Sequence, residues 1–225
     1  MDMEDKNKEW AELTYREKNH RLYLRQKALL DGFLEHGAIS RAQHDKSLKD
    51  LTEKMEGGRI DAALFSRRYH VRELTGEDTA AILSLCSGNR LFYRYCPPFV
   101  SEQSIREAMQ ALPPDKTPAD KYYLGYFDGE KLIAVMDFIM AYPDEETAFI
   151  GFFMTDVSVQ NAGTGSGIID ELCAYLPSLG LTGLRLGWVR GNPQSEHFWH
   201  KNGFTETGVT YDTDGYTVIV AQRKL

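Results

Sequence analysis

A glycine-rich stretch between a predicted strand and a predicted helix constrains this chain more than any other feature. The stretch consists of Gln160, Asn161, Ala162, Gly163, Thr164, Gly165, Ser166 and Gly167. Glycines let the backbone turn so that successive N–H groups point outward at the start of a helix, where unpaired donors and the helix dipole favour an anion. The stretch therefore predicts a phosphate-binding turn, although a plain strand-to-helix connection can also be rich in glycine.

Spacing excludes two other kinds of phosphate-binding motif. No Lys-Ser or Lys-Thr pair follows the glycines, as a P-loop requires. The glycines run G-x-G-x-G, and no acidic residue lies about twenty positions further on, where a dinucleotide ribose would need one. An NAD site is therefore not expected.

A second motif lies beyond the next predicted strand. Residues 192–204, NPQSEHFWHKNGF, resemble the N-x-x-A/S-x-x-F-Y/W-x-x-x-G-F segment of the GNAT acetyltransferases. Gln160-x-x-Gly163-x-Gly165 resembles the pyrophosphate-binding motif Q/R-x-x-G-x-G/A of the same family, in register with the strand before it and the helix after it. The resemblance covers residues 68–225 and is specific at these two motifs.

The resemblance implies an N-acetyltransferase that uses acetyl-CoA. The pyrophosphate would bind at residues 160–166, and the pantetheine arm would enter where the strand ending at Phe153, Met154 and Thr155 splays from the strand over 184–189. A backbone N–H of Met154 or Thr155 is the expected oxyanion donor. The acceptor would be a primary amine of a small molecule, an amino acid or a protein, which attacks the thioester directly. The second motif adds four residues to the predicted CoA site: Asn192, Ser195, Phe198 and Trp199.

Two departures from the family pattern bear on this chemistry. Asn161 and Ala162 stand where family members often have a glycine and a basic residue, so backbone N–H groups must hold the pyrophosphate without a side-chain charge. Trp199 stands where many relatives have a tyrosine that protonates the leaving thiolate, and an indole N–H is a poor acid at neutral pH. A CoA-binding regulatory module without turnover therefore stays open as the alternative function.

Candidates for the acceptor side are one carboxylate and three tyrosines. Asp137 lies inside the apolar segment LIAVMDFIM, where a charge must face a groove or be paired. It is the best candidate for the general base, and a structural carboxylate at a bulge or beside an arginine is the alternative. Tyr93, Tyr95 and Tyr142 are predicted to line the acceptor pocket.

Before residue 68 the apolar residues recur at helical spacing, with Leu22, Leu29 and Phe33 on one stripe. Gly37 suits a helix C-cap, Ser40 opens a capping box with a glutamine three residues later, and a double glycine at 57–58 ends the segment. We expect a helical hairpin over 1–58, a linker over 59–67 and the acetyltransferase domain over 68–225. The apolar stripe should pack on the chain's own domain or on a twin subunit, giving a homodimer, and a partner-binding arm is the alternative.

From residue 68 onward, strand and helix patterns alternate. The predicted fold class is α/β, with a GNAT-type mixed, mostly antiparallel sheet flanked by helices. Asp128-Gly129 is a strong hairpin signal. The predicted strands cover 69–74, 122–127, 131–142, 147–157, 184–189, 204–211 and 216–222, and the predicted helices cover 75–86, 101–112, 165–179 and 193–201.

Charge and cysteine content narrow the partners and the compartment. The formal net charge of −7 disfavours a broad nucleic-acid-binding surface. Three cysteines at unrelated spacings fit neither a zinc site nor a disulfide framework, which suits a reducing compartment. His197 and His200 are predicted to point outward, without a third metal ligand nearby. The sequence starts with charged residues and has no apolar run of roughly 20 residues, so we expect a cytoplasmic protein that does not enter a membrane. We also expect no nucleic-acid partner and no bound metal.

Overall fold

The computed structural model describes residues 15–55, 60–213 and 215–225, and the chain forms two compact units, Met1–Ile60 and Asp61–Leu225. The described part of the first unit consists of the helices α1 (Tyr15–Glu35) and α2 (Arg41–Met55), which pair as the predicted hairpin. The first residues of the predicted hairpin and the double glycine at 57–58 lie outside the described residues. The predicted boundaries 1–58, 59–67 and 68–225 stay predictions.

Local caps fix the turn between α1 and α2. Gly37 adopts the left-handed conformation that glycine tolerates, with φ of 66°. The backbone N–H of Ser40 donates to Gln43 Oε1 at 2.9 Å, and the backbone N–H of Gln43 donates to Ser40 Oγ at 3.3 Å, which confirms the predicted capping box. In the predicted apolar stripe, Leu29 and Phe33 are 60% and 50% exposed, and a homodimer through the hairpin stays a prediction.

A buried histidine joins the two helices. His44 on α2 is only 5% exposed, its Nε2 lies 2.9 Å from Asp31 Oδ1 on α1, and its Nδ1 lies 3.0 Å from Asp45 Oδ1. Because ionised carboxylate oxygens only accept hydrogen bonds, both contacts are hydrogen bonds at the same time only when both ring nitrogens carry a proton, as in an imidazolium. Hydrogen bonding to Asp45, and then to Asp31, raises the pKa of His44 above its ordinary value of 6.5.

We predict that the hairpin loses stability as the pH rises through the pKa of His44. A histidine whose folded-state pKa is raised contributes its full stabilisation below the unfolded value of about 6.5 and loses it above the folded value. An NMR titration of the full chain should give a midpoint above about 6.5 for His44, and Asp45→Asn should lower that midpoint. If Asp45→Asn leaves the midpoint unchanged, the imidazolium assignment is wrong.

The second unit is built around a seven-stranded sheet in the order β1-β2-β3-β4-β5-β7-β6. Among the described strands only β4 and β5 pair in parallel, so the predicted mixed, mostly antiparallel fold class is confirmed. The strands are β1 (His70–Glu73), β2 (Lys121–Asp128), β3 (Lys131–Ile139), β4 (Thr147–Thr155), β5 (Gly183–Val189), β6 (Thr205–Asp212) and β7 (Thr217–Lys224). The helices are α3 (Thr79–Gly88), α4 (Arg90–Tyr95), α5 (Glu102–Gln110), α6 (Thr164–Tyr175) and α7 (Pro193–Lys201).

Apolar side chains cover both faces of the sheet. On one face, the Phe65 ring lies 5.1 Å from the Phe138 ring of β3. On the other face, Tyr123 and Val135 belong to a buried cluster with residues of α3 and α5. Because alternate residues of a strand share a face, Asp137 lies on the same face as Val135.

Among the described α-helices, α4 is not predicted by the sequence, and others are shorter than predicted. Helix α4 spans only 6 residues, too few for helical periodicity to be visible in the sequence. The predicted helix over 165–179 is α-helical to Tyr175 and finishes as the 3-10 turn Leu176–Leu179, which contains a proline. These changes matter for the site because α4 lies beside the end of β4, as the contacts below show.

Candidate functional site

Strands β4 and β5 are joined at one end and separate at the other. They pair from Thr147 with Gly183 to Ile150 with Leu186, and the described ladder ends there. Both strands continue, β4 over residues 151–155 and β5 over residues 187–189. Backbone groups on the inner side of the split therefore have no partner in the β4–β5 ladder and can pair with a bound molecule.

A β-bulge lies at the point where the strands separate. Asp137 pairs with Phe152 and Phe138 pairs with Ile150, which leaves Gly151 as the extra residue of β4. A Cβ atom at Gly151 would lie 2.8 Å from Asp137 Oδ2. A bulge bends and twists its strand, and it occurs here where β4 departs from β5.

The ladder with β3 determines which N–H groups of β4 face the split. The N–H of Asp156 donates to Ile133 O at 2.8 Å, so it points toward β3. Directions alternate along a strand, and the N–H of Met154 therefore also points toward β3, whereas those of Phe153 and Thr155 point toward the split. Of the two predicted oxyanion donors, therefore, only Thr155 has its N–H toward the split, and Phe153 has a second N–H on that side.

The glycine-rich turn begins α6 with open backbone donors. Gly163 is the N-cap residue and has φ of 83°, and Asn161 also has positive φ, 59°. The N–H of Gly167 donates to Gly163 O at 2.9 Å. The N–H groups of residues 164–166 precede that bond and have no intrahelical acceptor, and the positive end of the helix dipole lies at the same place.

The turn and the split strands open into one cavity of about 330 Å³, which α7 closes on the other side. Most of the predicted CoA residues line it: Phe153, Met154, Thr155, Gln160, Asn161, Gly163, Thr164, Gly165, Ser166, Ser195, Phe198 and Trp199. Two of the predicted CoA residues do not line it. Ala162 is exposed, and Asn192 is 1% exposed with its Oδ1 accepting a hydrogen bond from the Ser195 N–H, so it caps α7.

Residues that the sequence reasoning missed line the same cavity. They are Asn89, Phe92, Val159, Gln194, His197 and Lys201. His197 and Lys201 are exposed and lie one turn apart on α7. Since the turn itself has no basic side chain, Lys201 provides the cationic group of the cavity wall and His197 provides an imidazole. Their i, i+4 spacing was the available signal in the sequence.

The amide of Gln160 holds the turn against the end of β4. Gln160 Nε2 donates to Asn89 Oδ1 at 2.7 Å and to Thr155 O at 3.2 Å, and Asn89 Nδ2 also donates to Thr155 O at 3.1 Å. These bonds join the turn, the residue before α4 and the last residue of β4. Gln160 therefore shapes the turn, and the backbone N–H groups remain as its anion donors.

Asp137 forms a buried ion pair rather than an open carboxylate. Lys121 Nζ lies 2.7 Å from both carboxylate oxygens of Asp137, and the side chains are only 5% and 14% exposed. Burial raises the pKa of Asp137, and Lys121 opposes that shift. Asp137 faces the bulge at Gly151 and is paired with a cation, which is a lysine rather than the arginine of the structural alternative. It is not among the residues that line the cavity, and its role as the general base stays a prediction.

The three predicted acceptor tyrosines do not line the cavity. Tyr93 packs between Phe92 and Phe99, with ring centroids at 5.1 and 4.8 Å. Tyr142 contacts Phe149 edge to face at 5.6 Å. Tyr95 is half-buried at the end of α4. Their predicted role in acceptor binding stays a prediction.

The described ranges contain neither a metal-binding cluster nor a membrane-spanning helix. Across residues 15–55, 60–213 and 215–225, no group of three or more His, Cys, Asp or Glu side chains could hold a metal ion. In the same residues, no helix has the length and apolar character needed to cross a membrane.

Comparison with known proteins points to one family. A sequence model of the acetyltransferase (GNAT) family matches residues 88–204. Solved structures with a similar fold include an acetyltransferase from Thermus thermophilus, at 18% identity and a TM-score of 0.57 over 70% of this chain and 97% of that chain. Ard1 from Thermoplasma volcanium is similar at 17% identity and a TM-score of 0.51, over 70% of this chain and 98% of that chain. No curated protein sequence matches this chain.

Proposed function

Because this chain belongs to the acetyltransferase (GNAT) family, we propose that it transfers an acetyl group from acetyl-CoA to the primary amine of a small molecule, an amino acid or a protein. The chain is an acyltransferase, and the donor site, the acceptor and the residue roles below are our proposal. One observation carries it: the split between β4 and β5 and the open N-terminus of α6 face the same cavity.

The proposed donor site uses main-chain groups at both ends of the cavity. The pyrophosphate binds the N–H groups of residues 164–166, where the helix dipole adds to their attraction. The pantetheine arm lies in the split and pairs with backbone groups of β4 that have no partner on β5. His197 and Lys201 line the cavity on α7, and Lys201 adds positive charge for the phosphates.

The proposed reaction is direct attack on the thioester. The amine nitrogen forms a bond to the thioester carbonyl carbon, and the negative charge that develops on oxygen is stabilised by the N–H of Phe153, the group facing the split that lies nearer to Asp137 in the register. The intermediate then expels the sulfur of CoA as a thiolate, and the nitrogen loses one further proton, which the thiolate takes up, to give the amide and the free thiol of CoA. A thiol of pKa about 8.5 leaves without prior protonation, so a site with Trp199 in place of a tyrosine remains competent.

We propose Asp137 as the group that accepts the amine proton. Its carboxylate lies on the face of the sheet opposite α6 and faces Gly151, where the split begins. An amine is protonated at neutral pH and must lose that proton before it attacks. Burial raises the pKa of Asp137 toward the range in which a carboxylate can act as a base.

A regulatory module that binds CoA without turnover is the second candidate. Trp199 supports it, since this residue is 7% exposed and packs on Phe198 and Phe204 at 4.8 and 5.2 Å, as a purely structural side chain would. Both candidates require acetyl-CoA to bind in the same cavity. They differ in whether any amine releases free thiol.

Thermal unfolding with and without acetyl-CoA tests the donor site. A ligand that binds only the folded state stabilises it by about 2.7 kcal/mol at a hundredfold excess over its dissociation constant, so the melting temperature should rise with ligand concentration. Release of free thiol from acetyl-CoA over a panel of amines then tests turnover. No stabilisation at millimolar acetyl-CoA would refute both candidates, whereas stabilisation without thiol release from any amine would favour the regulatory module.

A further inference from the structure

One row of side chains crosses the sheet on the face that carries Asp137. The register pairs Lys121 with Ile139, Ile139 with Phe149, Phe149 with Arg185, and Arg185 with Gln222. Register partners share a face of a sheet, and residues two apart on one strand do as well. Arg185 of β5 and Asp137 of β3 therefore lie on the same face, two strands apart.

The Arg185 guanidinium is a half-buried cation whose hydrogen bonds go to a neutral group. Its Nε and Nη2 donate to Gln222 Oε1 at 3.2 and 2.8 Å. A guanidinium has five N–H donors, so this contact uses only part of its capacity. In the described part of the chain, the ion pairs are formed by other cations, and no carboxylate lies within 4.0 Å of Arg185. Lys121, the other cation of the row, is paired with Asp137.

Arg185 also lies at the base of the split, where the reaction is proposed to occur. It immediately precedes Leu186, the last residue of β5 that pairs with β4. Its neighbours on the same face of β5 are Gly183 and Gly187, which have no side chains. Side chains of β7 occupy that space, because a Cβ atom would lie 2.9 Å from Gln222 Nε2 at Gly183 and 2.6 Å from Val218 Cγ1 at Gly187. The Cα atom of Gly187 lies about 7 Å along the strand from that of Arg185, and the Cα atom of Asp137 lies roughly 12 Å away across two strands.

We propose that Arg185 binds the carboxylate of the acceptor and that the acceptor class is therefore amino acids, with amine and carboxylate in one small molecule. This inference rests on the proposed acetyl transfer and specifies its acceptor. A guanidinium matches a carboxylate with two parallel hydrogen bonds, and the unused donors of Arg185 are available for them. A carboxylate held at Arg185 leaves the amine a few bonds away, at the start of the split and on the side of Asp137.

Matched acceptor pairs provide the test. Each amino acid that the wild-type protein acetylates is compared with the amine that lacks only the carboxylate, for example phenylalanine with phenethylamine and lysine with cadaverine. Arg185→Met should lower kcat/KM for the amino acid at least about tenfold, mainly through KM, and for the decarboxylated amine by less than about threefold. Comparing variant with wild type on the same acceptor cancels differences in amine pKa. Arg41→Met, which changes the net charge equally on the other unit, should leave both values unchanged.

Several results would overturn the inference. One is an equal loss of kcat/KM in Arg185→Met for the amino acid and for its decarboxylated amine. Another is a wild-type protein that has a higher kcat/KM for the decarboxylated amines than for the amino acids. A third is an Arg185→Met variant in which only the KM for acetyl-CoA changes. If Arg185→Met does not fold, judged by circular dichroism, Arg185→Lys replaces it and should show an intermediate loss, because it keeps the charge but not the planar fork.

A binding measurement separates this inference from the proposed function. Calorimetry with CoA-saturated wild-type protein should detect the amino acid, and Arg185→Met should weaken that binding at least about tenfold. If thiol release fails for every amine but this difference persists, acetyl transfer is refuted and the carboxylate site stands. If the saturated wild type binds no amino acid, the carboxylate site is refuted.

Discussion

Gly165→Leu is expected to weaken acetyl-CoA binding at least about 100-fold and to lower kcat/KM by a similar factor. A Cβ atom at Gly165 would already lie 3.1 Å from Phe198 Cε2 and 3.5 Å from Thr155 Cγ2, so a longer side chain must enter the cavity between the turn and α7. The helix itself should tolerate the change, since Leu favours a helix over Gly by about 1 kcal/mol. Calorimetry gives the affinity, and thiol release gives the rate.

Gly167→Leu is the matched control for this prediction. Gly167 lies on the same helix, and a Cβ atom there would meet only the guanidinium of Arg68, at 3.1 Å. The Arg68 side chain is 67% exposed and can move aside. The control should therefore bind acetyl-CoA as the wild type does. Wild-type affinity in Gly165→Leu, with its melting temperature unchanged, would exclude this cavity as the donor site.

Local signals explain why much of the fold and the shape of the candidate site could be predicted from the sequence. The phosphate turn depends on glycines at fixed offsets, and a positive φ at Gly163 is a property of a single residue. The capping box of Ser40 and Gln43 spans four residues, and the strand-to-helix order follows from periodicity. Each of these signals is complete within a short window, and the structure retains them.

Contacts between distant segments explain what the sequence does not reveal. The partner of Asp137 is Lys121, 16 positions earlier, and the sequence interpretation considered an arginine instead. The bond between Gln160 and Asn89 spans 71 positions and depends on α4, a helix too short to detect. The direction of the Met154 N–H depends on the register with β3, which composition and periodicity leave open.

Lys121→Met is expected to destabilise the protein by about 3–5 kcal/mol at neutral pH. The variant leaves the Asp137 carboxylate in a site where it is 14% exposed and has lost its cation, and an unpaired buried charge costs far more than a lost surface pair. Lys131→Met is the control, because the Lys131 pair with Asp156 is longer, at 3.3 Å, and the Lys131 side chain is 56% exposed. The control should change stability by less than about 0.5 kcal/mol, measured by urea unfolding.

The pH dependence of stability tests whether the buried Asp137 carboxylate causes the destabilisation of Lys121→Met. Burial already raises the pKa of Asp137 in the wild type, and loss of Lys121 should raise it further. A carboxyl whose folded-state pKa is raised stabilises the fold below its unfolded pKa of about 3.9, and this contribution is lost as the pH rises through the folded value. The difference in unfolding free energy between the wild type and Lys121→Met should therefore become smaller at acidic pH. A deficit that is constant between about pH 4 and pH 8 would contradict this cause.

The double variant Lys121→Met with Asp137→Leu separates stability from chemistry at this pair. Removing both charges from a buried pair is often neutral or stabilising, so the double variant should recover most of the stability lost in Lys121→Met. If Asp137 accepts the amine proton, thiol release should nevertheless stay at least about 100-fold below the wild type, because general-base catalysis is typically worth that much. Recovery of both stability and turnover would make the pair structural and would transfer the proton-accepting role to another group or to water.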